Sequence, residues 1–456
     1  MTETPTTAKT SDKPRQKMET DDIIELCKRH TMYTWAAGDD VDPLPVDRAE
    51  GCYFWTPDGK RFLDFNSQLM SVNAGHGHPK IKAAMKEAID DLIYVFPASA
   101  TEPRARLGKL LSEVVPGDIN RFFFALGGAE ANENAIRAAR LYTGRDKILA
   151  RYRSYHGATN LCMQLTGDPR RWANEPGTPG VVHVMDPEPY DYEFGKSDAE
   201  KTEKNLRYLE EMIMYEGPDT IAAMIVETVT GTNGVLPPPE GYLQGLRELL
   251  DKYDILLICD EVMAGFGRTG KMFAFEHYDI VPDIVTMAKG MTSSYFPLAC
   301  MGVSDPIAEY FEENVFWGGL TYNSHALGLA TAIANIQVLQ EEGLVENAAR
   351  LAPVMREEMD RLTAKHPCVK EGRNIGLFGM IDVQKNSDGE PMADYNSSSE
   401  PMDRLGEFFQ DEGLFTFVRW GSFMCNPPLC ITEEQLREGF SIIDRGLEMV
   451  DGYVED

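Results

Sequence analysis

Basic residues are scarce in this chain of 456 residues: 44 Lys and Arg stand against 73 Asp and Glu, for a formal charge of −29. Nucleic acids and anionic membranes bind basic surfaces, so we expect neither as a partner. The acidity favours solubility, and a salt-adapted host is the other interpretation that it leaves open. No run of about 18 apolar residues occurs, so the sequence predicts no membrane-spanning helix.

Disulfide and zinc motifs are missing as well. None of the eight cysteines forms a CxxC pair, and several lie within apolar runs such as "LICDE" and "LACMG". This pattern is typical of reduced cysteines in a cytosolic protein, and it predicts neither a disulfide framework nor a metal site. The N-terminus lacks the apolar stretch of a secretory signal, and its composition predicts a disordered arm over residues 1–18. We therefore expect a cytoplasmic protein.

Strands and helices alternate through most of the chain. Predicted strands occupy residues 120–126, 147–152, 180–185, 221–228, 255–262 and 283–291, the last as a short strand and loop. Predicted helices occupy residues 78–92, 101–115, 127–144, 242–254 and 325–366, the last with a break at Gly343. This alternation is typical of an α/β protein whose mostly parallel sheet lies between layers of helices.

The pattern changes after residue 366, where apolar, β-rich segments precede a helix and predict a smaller α+β domain. We therefore expect three parts beyond the arm. Residues 19–75 form an N-terminal segment that contributes to the small domain and the active site. Residues 76–330 form the large domain, and residues 331–456 form the small C-terminal domain.

The stretch "LLICDEVMAGFGRTG" (256–270) ends an apolar strand with two acids, Asp260 and Glu261. Carboxylates are almost never fully buried unless they are paired. Ligands of open α/β sheets bind at the carboxyl ends of the strands. A ligand at this strand end is therefore the expected partner of at least one of the two acids.

Four features in chain order carry the chemistry, although each alone has a plain structural explanation. "GGAEANENA" (127–135) places glycines before a helix, where free N–H groups bind anions. "SYHGATN" (154–160) sets an aromatic beside a histidine, Asp260 suits a protonated ring nitrogen, and Lys289 follows a short apolar stretch that would make its amine nucleophilic. Together they match the needs of pyridoxal phosphate: a phosphate site, a pyridinium partner, a ring cover and an imine-forming lysine.

At these residues the chain resembles the class III aminotransferases, from about residue 35 to about residue 450. The resemblance is carried by "LLICDEVMAGFGRTGKMFAFEHYDIVPDIVTMAKGM", which is close to the family signature, and by "YHGAT", "ETVTGTNGVLPPPEGYL" and "GGLTYNSHALGLATAIANI" in family order. It implies a fold-type I transferase with a seven-stranded, mostly parallel sheet. It also implies pyridoxal 5'-phosphate as cofactor, with pyridoxamine 5'-phosphate as the amino-carrying form.

The resemblance implies roles for individual residues. Lys289 matches the Schiff-base lysine, and Asp260 matches the partner of the pyridine nitrogen. The other cofactor-binding positions that it implies are Gly128 and Ala129 at the phosphate, Tyr155 and Val262 on the two ring faces, His156 and Glu227 near the cofactor, and Thr321 at the phosphate of the neighbouring subunit. A shared site of this kind implies a homodimer, which could pair further into a tetramer.

The resemblance also implies a substrate pocket. Tyr33, Trp35, Met70 and Tyr155 would line the side that takes the amine donor, and such a lining suits an amine with little charge. Arg419 resembles the arginine that receives a substrate carboxylate, its alternative being a surface arginine. The family usually has Ser or Thr where this chain has Ala129, and ω-amine transaminases often have Trp at Met70. Glu261 is expected to support the site or the loop after it.

The expected activity is ping-pong transfer of an amino group from an ω-amino acid or amine to pyruvate or 2-oxoglutarate. The chain looks most like the taurine, β-alanine and ω-amine branch. An aminomutase, racemase or decarboxylase on the same scaffold stays open, and a non-catalytic binding protein is disfavoured because it would not need Lys289 and Asp260. A nucleotide-dependent oxidoreductase is excluded because no GxGxxG motif followed by an acid occurs.

Overall fold

The computed structural model describes residues 18–455, so the arm predicted for residues 1–18 lies outside them except for its last residue. Fifteen strands occur in the described chain. They are β1 (Arg48–Glu50), β2 (Tyr53–Trp55), β3 (Arg61–Asp64), β4 (Ile119–Ala125), β5 (Lys147–Arg151), β6 (Val181–Val184), β7 (Ile221–Glu227), β8 (Leu256–Asp260), β9 (Ile284–Met287), β10 (Ala299–Ser304), β11 (Val369–Ile375), β12 (Phe378–Val383), β13 (Leu414–Phe415), β14 (Val418–Arg419) and β15 (Ser422–Cys425).

The described helices are mostly amphipathic and cover these strands. They are α1 (Thr20–His30), α2 (Ser67–Met70), α3 (Pro79–Asp91), α4 (Glu102–Val114), α5 (Gly128–Thr143), α6 (Asn160–Leu165), α7 (Asp198–Glu216), α8 (Tyr242–Lys252), α9 (Asp305–Glu313), α10 (Ala326–Glu341), α11 (Leu344–Lys365), α12 (Glu400–Asp411) and α13 (Glu433–Val450). None of the described helices is long and apolar enough to cross a membrane.

Seven strands form the central sheet in the order β4-β10-β9-β8-β7-β5-β6. Strands β5 to β9 pair in parallel, whereas β10 runs antiparallel to both β4 and β9. Every residue of β7 and β8 is buried, because helices cover both faces of the sheet. The prediction of an α/β protein with a mostly parallel seven-stranded sheet is confirmed.

The two ends of the chain meet in a second sheet. Strands β1, β2 and β3 form an antiparallel meander, and β13 from the C-terminal region adds to β3 in parallel. A third, antiparallel sheet has the order β11-β12-β15-β14 and packs with α11. The N-terminal segment is therefore built into the C-terminal part of the fold by backbone hydrogen bonds.

Candidate active site

The carboxyl ends of β7, β8 and β9 bring three polar side chains into register. Glu227 on β7 lies opposite Asp260 on β8, and Asp260 lies opposite Thr286 on β9. All three residues are buried. This is the edge of a parallel sheet at which ligands bind.

Asp260 is held by three donors. Its Oδ2 lies 2.8 Å from both Asn132 Nδ2 and His156 Nδ1, and its Oδ1 accepts the Val262 N–H at 3.0 Å. Asn132 is itself fixed, since its Oδ1 accepts the Thr286 hydroxyl at 2.6 Å. His156 Nε2 is buried without a partner among the described residues. The carboxylate is therefore fixed in place and keeps acceptor capacity for another donor.

Sequence reasoning had singled out His156 but not Asn132, which bonds to the same carboxylate oxygen. Asn132 lies one helical turn after Gly128 on α5, and residues four apart share a helix face. That spacing was the available signal for it.

Lys289 begins the turn that follows β9, with its backbone in the left-handed region at φ +42°. Such strain in a non-glycine residue is found where the surrounding structure fixes a functional side chain. Its amine has no hydrogen bond or ion pair to any residue from 18 to 455, and burial lowers its pKa although Asp260 and Glu227 act in the opposite direction. A larger fraction of neutral, nucleophilic amine follows.

The start of α5, next to this cluster, is suited to binding an anion. Gly127 is its N-cap and provides no side-chain cap, so the first N–H groups of the helix stay free for a ligand. A Cβ on Gly128 would lie 2.8 Å from Val262 Cγ1, so only glycine fits there. Ala129 adds no side-chain donor, and the backbone must therefore supply the anion contacts.

Glu227 fixes the segment that carries Tyr155. Its Oε1 accepts the Tyr155 N–H and its Oε2 accepts the Gly231 N–H, both at 2.9 Å. Burial raises the pKa of this carboxyl, with the charge of Asp260 acting in the same direction. Trp35 meets the Tyr155 ring edge-on at 6.2 Å between centroids.

The guanidinium group of Arg170 lies over this aromatic pair. The Arg170 Cζ stands 3.7 Å from the Tyr155 ring centroid and 5.6 Å from that of Trp35. Arg170 also forms an ion pair with the buried Asp168. Trp35 and Tyr155 thus lie side by side with a positive charge next to them, and their contact with a donor stays a prediction. No sequence signal distinguished Arg170 from Arg171 beside it.

Arg419 pairs with the same carboxylate. Its Nη2 lies 3.1 Å from Asp168 Oδ2, its Nη1 donates to the Thr232 carbonyl at 3.1 Å, and its side chain is mostly buried. Arg419 is therefore not a surface arginine. A cavity of about 610 Å³ between residues 187–195 and the third sheet also opens onto Arg419, but Lys289 and Asp260 do not line it.

The other two residues predicted to line the donor pocket, Met70 and Tyr33, contact different parts of the chain. Met70 is buried in an apolar cluster with Val229, Val235 and Met263. Tyr33 lies beside Cys27 near the end of α1. Their proposed contact with a donor stays a prediction.

Glu261 points away from Asp260, because successive side chains of a strand alternate between the two faces. Its Oε1 accepts the Thr228 hydroxyl at 2.6 Å and the Phe275 N–H at 3.1 Å, and its Oε2 accepts the Ala274 N–H at 2.9 Å. The second acid of the pair is therefore a structural group that ties the loop after β8 to the end of β7.

Thr321 lies on an exposed surface. The Tyr94 hydroxyl donates to its carbonyl at 2.6 Å, and three aromatic residues within a few positions of Tyr94 or Thr321 in the chain are exposed, namely Phe96, Trp317 and Tyr322. Large exposed aromatic side chains in one region are typical of an interaction surface.

These residues fit pyridoxal phosphate. The free N–H groups at the start of α5 suit a phosphate, the fixed Asp260 suits a protonated pyridine nitrogen, and the unpaired amine of Lys289 suits an aldehyde. A metal is not needed to explain the site, and the described residues contain no cluster of three or more metal-ligating side chains.

The chain is similar to several characterised proteins over nearly its whole length. The crystal structure of taurine:2-oxoglutarate aminotransferase from Bifidobacterium kashiwanohense, in complex with pyridoxal phosphate and glutamate, superposes with a TM-score of 0.93 at 42% identity, covering 96% of this chain and 100% of that one. Taurine–pyruvate aminotransferase of Bilophila wadsworthia is 33% identical, covering 82% of this chain and 85% of the relative. Putrescine–pyruvate aminotransferase of Pseudomonas aeruginosa is 32% identical, covering 88% and 90%.

The profile described as "Aminotransferase class-III" matches residues 34–447, which include every residue of the Asp260 and Lys289 cluster. The fit of that cluster to pyridoxal phosphate and the match across the chain lead to one conclusion. The protein belongs to the class III aminotransferases, which depend on pyridoxal phosphate.

Proposed function

We propose that the enzyme transfers the amino group of an ω-amino acid with a terminal sulfonate or carboxylate, such as taurine or β-alanine, to 2-oxoglutarate or pyruvate. The observation that carries this proposal is the pair of guanidinium groups, Arg170 and Arg419, beside Tyr155. Guanidinium groups bind carboxylates and sulfonates by paired hydrogen bonds.

The charge of this pocket separates the possible donors. An amine without an anionic group, such as 1-phenylethylamine, would gain nothing from Arg170, and the second ammonium group of putrescine would be repelled by it. An ω-amino acid suits the pocket at both ends, since its amine would face Lys289 and its anionic group would face Arg170 and Arg419. The similarity to a taurine:2-oxoglutarate aminotransferase supports this choice.

We assign the cofactor contacts as follows. Gly128 and Ala129 would hold the phosphate with backbone N–H groups at the start of α5, and Asp260 would keep the pyridine nitrogen protonated. Tyr155 and Val262 would contact the ring. When bound, pyridoxal phosphate supplies an aldehyde for the amino group and a ring that takes up the electron pair left at the substrate carbon.

Lys289 is the catalytic base and acid in this proposal. Once the donor amine takes its place, the neutral amine of Lys289 removes the proton from the substrate carbon that bears nitrogen. It would then deliver that proton to the carbon that the cofactor contributes on the other side of the same nitrogen. The lowered pKa of Lys289 suits both steps, because the amine is neutral in a larger fraction of molecules at a given pH.

The supporting groups act through Asp260. Asn132 and His156 both bond to its Oδ2 and leave Oδ1 with only the Val262 N–H. Glu227 holds the chain at Tyr155, so that the ring stays over the site. These three are positioning residues, since their described contacts are to other side chains and backbone groups.

The test compares Arg170→Ala with Arg171→Ala. Arg171 is the neighbouring arginine on the same short helix and pairs with Glu175. We expect Arg170→Ala to reduce kcat/KM for taurine and β-alanine about 10- to 100-fold, the value of one charged hydrogen-bonding partner. We expect less than about threefold change for 1-phenylethylamine, and near wild-type rates for Arg171→Ala with every donor.

Two results would contradict the proposal. One is a wild-type enzyme that turns over 1-phenylethylamine but neither ω-amino acid. The other is an Arg170→Ala variant whose rates fall equally for donors with and without an anionic group, since that pattern indicates a structural loss. Rates are read from 2-oxo acid consumption and from bleaching of the cofactor absorption by single amines.

We also infer that the enzyme is a cytoplasmic homodimer with shared sites. The eight cysteines are all free, which suits a reducing compartment. The exposed aromatic residues near Thr321 suit burial against a second copy of the chain, which would bring Thr321 toward the partner's phosphate site.

A further inference from the structure

One buried carboxylate serves both arginines of the pocket. Asp168 Oδ2 is within hydrogen-bond distance of Arg170 Nη2, of Arg419 Nη2 at 3.1 Å and of Asn233 Nδ2 at 3.1 Å. Asp168 also caps the short 3-10 helix Pro169–Asn174, because its Oδ1 accepts the Arg170 N–H at 3.0 Å. The carboxylate of Asp168 is therefore held in place by a backbone N–H group as well as by side chains.

A second residue holds the two guanidinium groups in the same way. The Thr232 hydroxyl accepts from Arg170 Nη2 at 2.9 Å, and its carbonyl accepts from Arg419 Nη1 at 3.1 Å. Two like charges are thus kept side by side, which costs energy unless an anion lies between them. Burial alone would raise the pKa of Asp168, but hydrogen bonds and charge from Arg170 and Arg419 lower it overall.

The count of charges follows directly. Two guanidinium groups and one carboxylate leave one net positive charge beside Tyr155. A ligand with one anionic group is matched by this charge. Asp168 repels each anionic group of a ligand, so its charge weakens the binding of a dianion, such as a five-carbon dicarboxylate, more than the binding of a monoanion.

We propose that Asp168 is a positioning and specificity-determining residue. It holds Arg170 and Arg419 as a pair, and its negative charge reduces the affinity of the pocket for dianionic ligands more than for monoanionic ones. The inference rests on the proposed function, because it concerns the same arginines. It adds that the choice between 2-oxoglutarate and a monoanionic 2-oxo acid is controlled by a residue that need not touch either.

The experiment measures binding of two unreactive ligands to the cofactor-loaded enzyme by calorimetry. Glutarate is a dianion with the carbon skeleton of 2-oxoglutarate, and butyrate is a monoanion of similar length. Asp168→Asn removes the charge and keeps an oxygen acceptor for Arg170 and Arg419. We expect its affinity to rise about threefold for butyrate and about tenfold for glutarate, because electrostatic energy scales with ligand charge.

Two control variants separate charge from structure. Asp168→Glu keeps the charge and should leave the glutarate-to-butyrate affinity ratio of the wild type. Asp382→Asn makes the same chemical change in another carboxylate–arginine pair, with Arg373, and should also leave the ratio unchanged. In turnover, Asp168→Asn should shift kcat/KM toward 2-oxoglutarate over pyruvate by about threefold, and added salt should reduce the shift.

The outcomes decide the inference separately from the proposed function. An Asp168→Asn variant that changes both affinities by the same factor, or that weakens both, overturns the role of the charge even if the wild type turns over taurine. A wild type that accepts only amines without an anionic group contradicts the proposed function. In that case the glutarate-to-butyrate affinity ratio of the variants still decides the role of Asp168.

Discussion

At the scale of single residues, the neighbouring acids Asp260 and Glu261 have separate roles. Asp260 faces Asn132, His156 and the ligand edge of the sheet, whereas Glu261 faces the loop that follows β8. Burial raises the pKa of Glu261 to about 7, while the hydrogen bond from Thr228 acts to lower it. Ionised Glu261 therefore destabilises the folded state, and the free energy of unfolding depends on pH.

The sign of that dependence can be tested with Glu261→Gln. The folded-state pKa lies above the unfolded value of about 4.3, so between them the folded protein keeps a proton that the unfolded chain has lost. The contribution of Glu261 to stability therefore falls as pH rises toward about 7 and stays low above it. Urea unfolding should show the wild type losing stability relative to Glu261→Gln between pH 5 and pH 8, by up to roughly 3 kcal/mol.

A companion variant controls this measurement. Thr228→Val removes a hydrogen bond that lowers the pKa of Glu261, so the pH-dependent loss should move to higher pH. A stability gap between wild type and Glu261→Gln that is constant across the pH range would contradict the assignment.

At the scale of elements, the glycine-rich loop after β8 joins three parts of the chain through Arg268. This side chain is fully buried. It donates to Ser67 Oγ and Asn73 Oδ1 in the N-terminal segment and to the carbonyls of Leu377 and Pro427 in the C-terminal part. The loop therefore has a structural task besides its position beside the site.

Removal of the Arg268 donors should destabilise the whole protein. Arg268→Met leaves three buried acceptors without their donor, namely Asn73 Oδ1 and the carbonyls of Leu377 and Pro427, whereas Ser67 Oγ keeps its hydrogen bond to the Asn426 carbonyl. Each such acceptor costs about 1–3 kcal/mol, so we expect a loss of at least about 3 kcal/mol in chemical unfolding. Arg121→Met, which breaks an exposed ion pair with Glu312, should change stability by less than about 1 kcal/mol. Equal stability of the two variants would show that the Arg268 contacts contribute little.

Several elements were not predicted from the sequence, among them β10 and α7. The antiparallel strand β10 is short, contains a glycine and follows a turn-rich stretch, so neither alternation nor a long apolar run marks it. Helix α7 does carry a start signal, a capping box of Ser197 and Glu200, which was overlooked in a polar region. The helix break predicted at Gly343 is confirmed, since the chain takes a left-handed conformation there between α10 and α11.

At the scale of the whole molecule, the exposed aromatic surface near Thr321 is the feature that a single chain leaves unexplained. Phe96 and Trp317 are each 73% exposed, which is costly in water for side chains of this size. A second copy of the chain that covers them would also complete the phosphate site through Thr321.

The dimer is tested by Phe96→Glu combined with Trp317→Glu. We expect sedimentation to show a monomer, because two charges per chain would be buried in the interface. We also expect weaker retention of pyridoxal phosphate, since the partner's Thr321 contact is lost. Tyr215→Glu, which changes an equally exposed aromatic on α7, should leave the wild-type mass. A wild type that sediments as a monomer would contradict the shared site.

The sequence by itself determined the fold class and the cofactor chemistry. Each of the three residues proposed to bind the cofactor lies at a local junction: Asp260 ends a strand, Lys289 follows one and Gly128 begins a helix. Junctions of this kind are set by short-range patterns of apolar residues and glycine, and the topology of parallel sheets then collects them at one edge.

Only the tertiary structure decided the charge of the substrate pocket and the separate roles of the two acids. Asp168 and Arg419 are 251 residues apart in the chain, so no local pattern announces their pairing. The pocket that the resemblance implies contains one arginine, Arg419, and the structure adds Arg170 and the carboxylate of Asp168 beside it. Which face each acid occupies depended on strand pleating, and what it met there depended on segments brought in by packing.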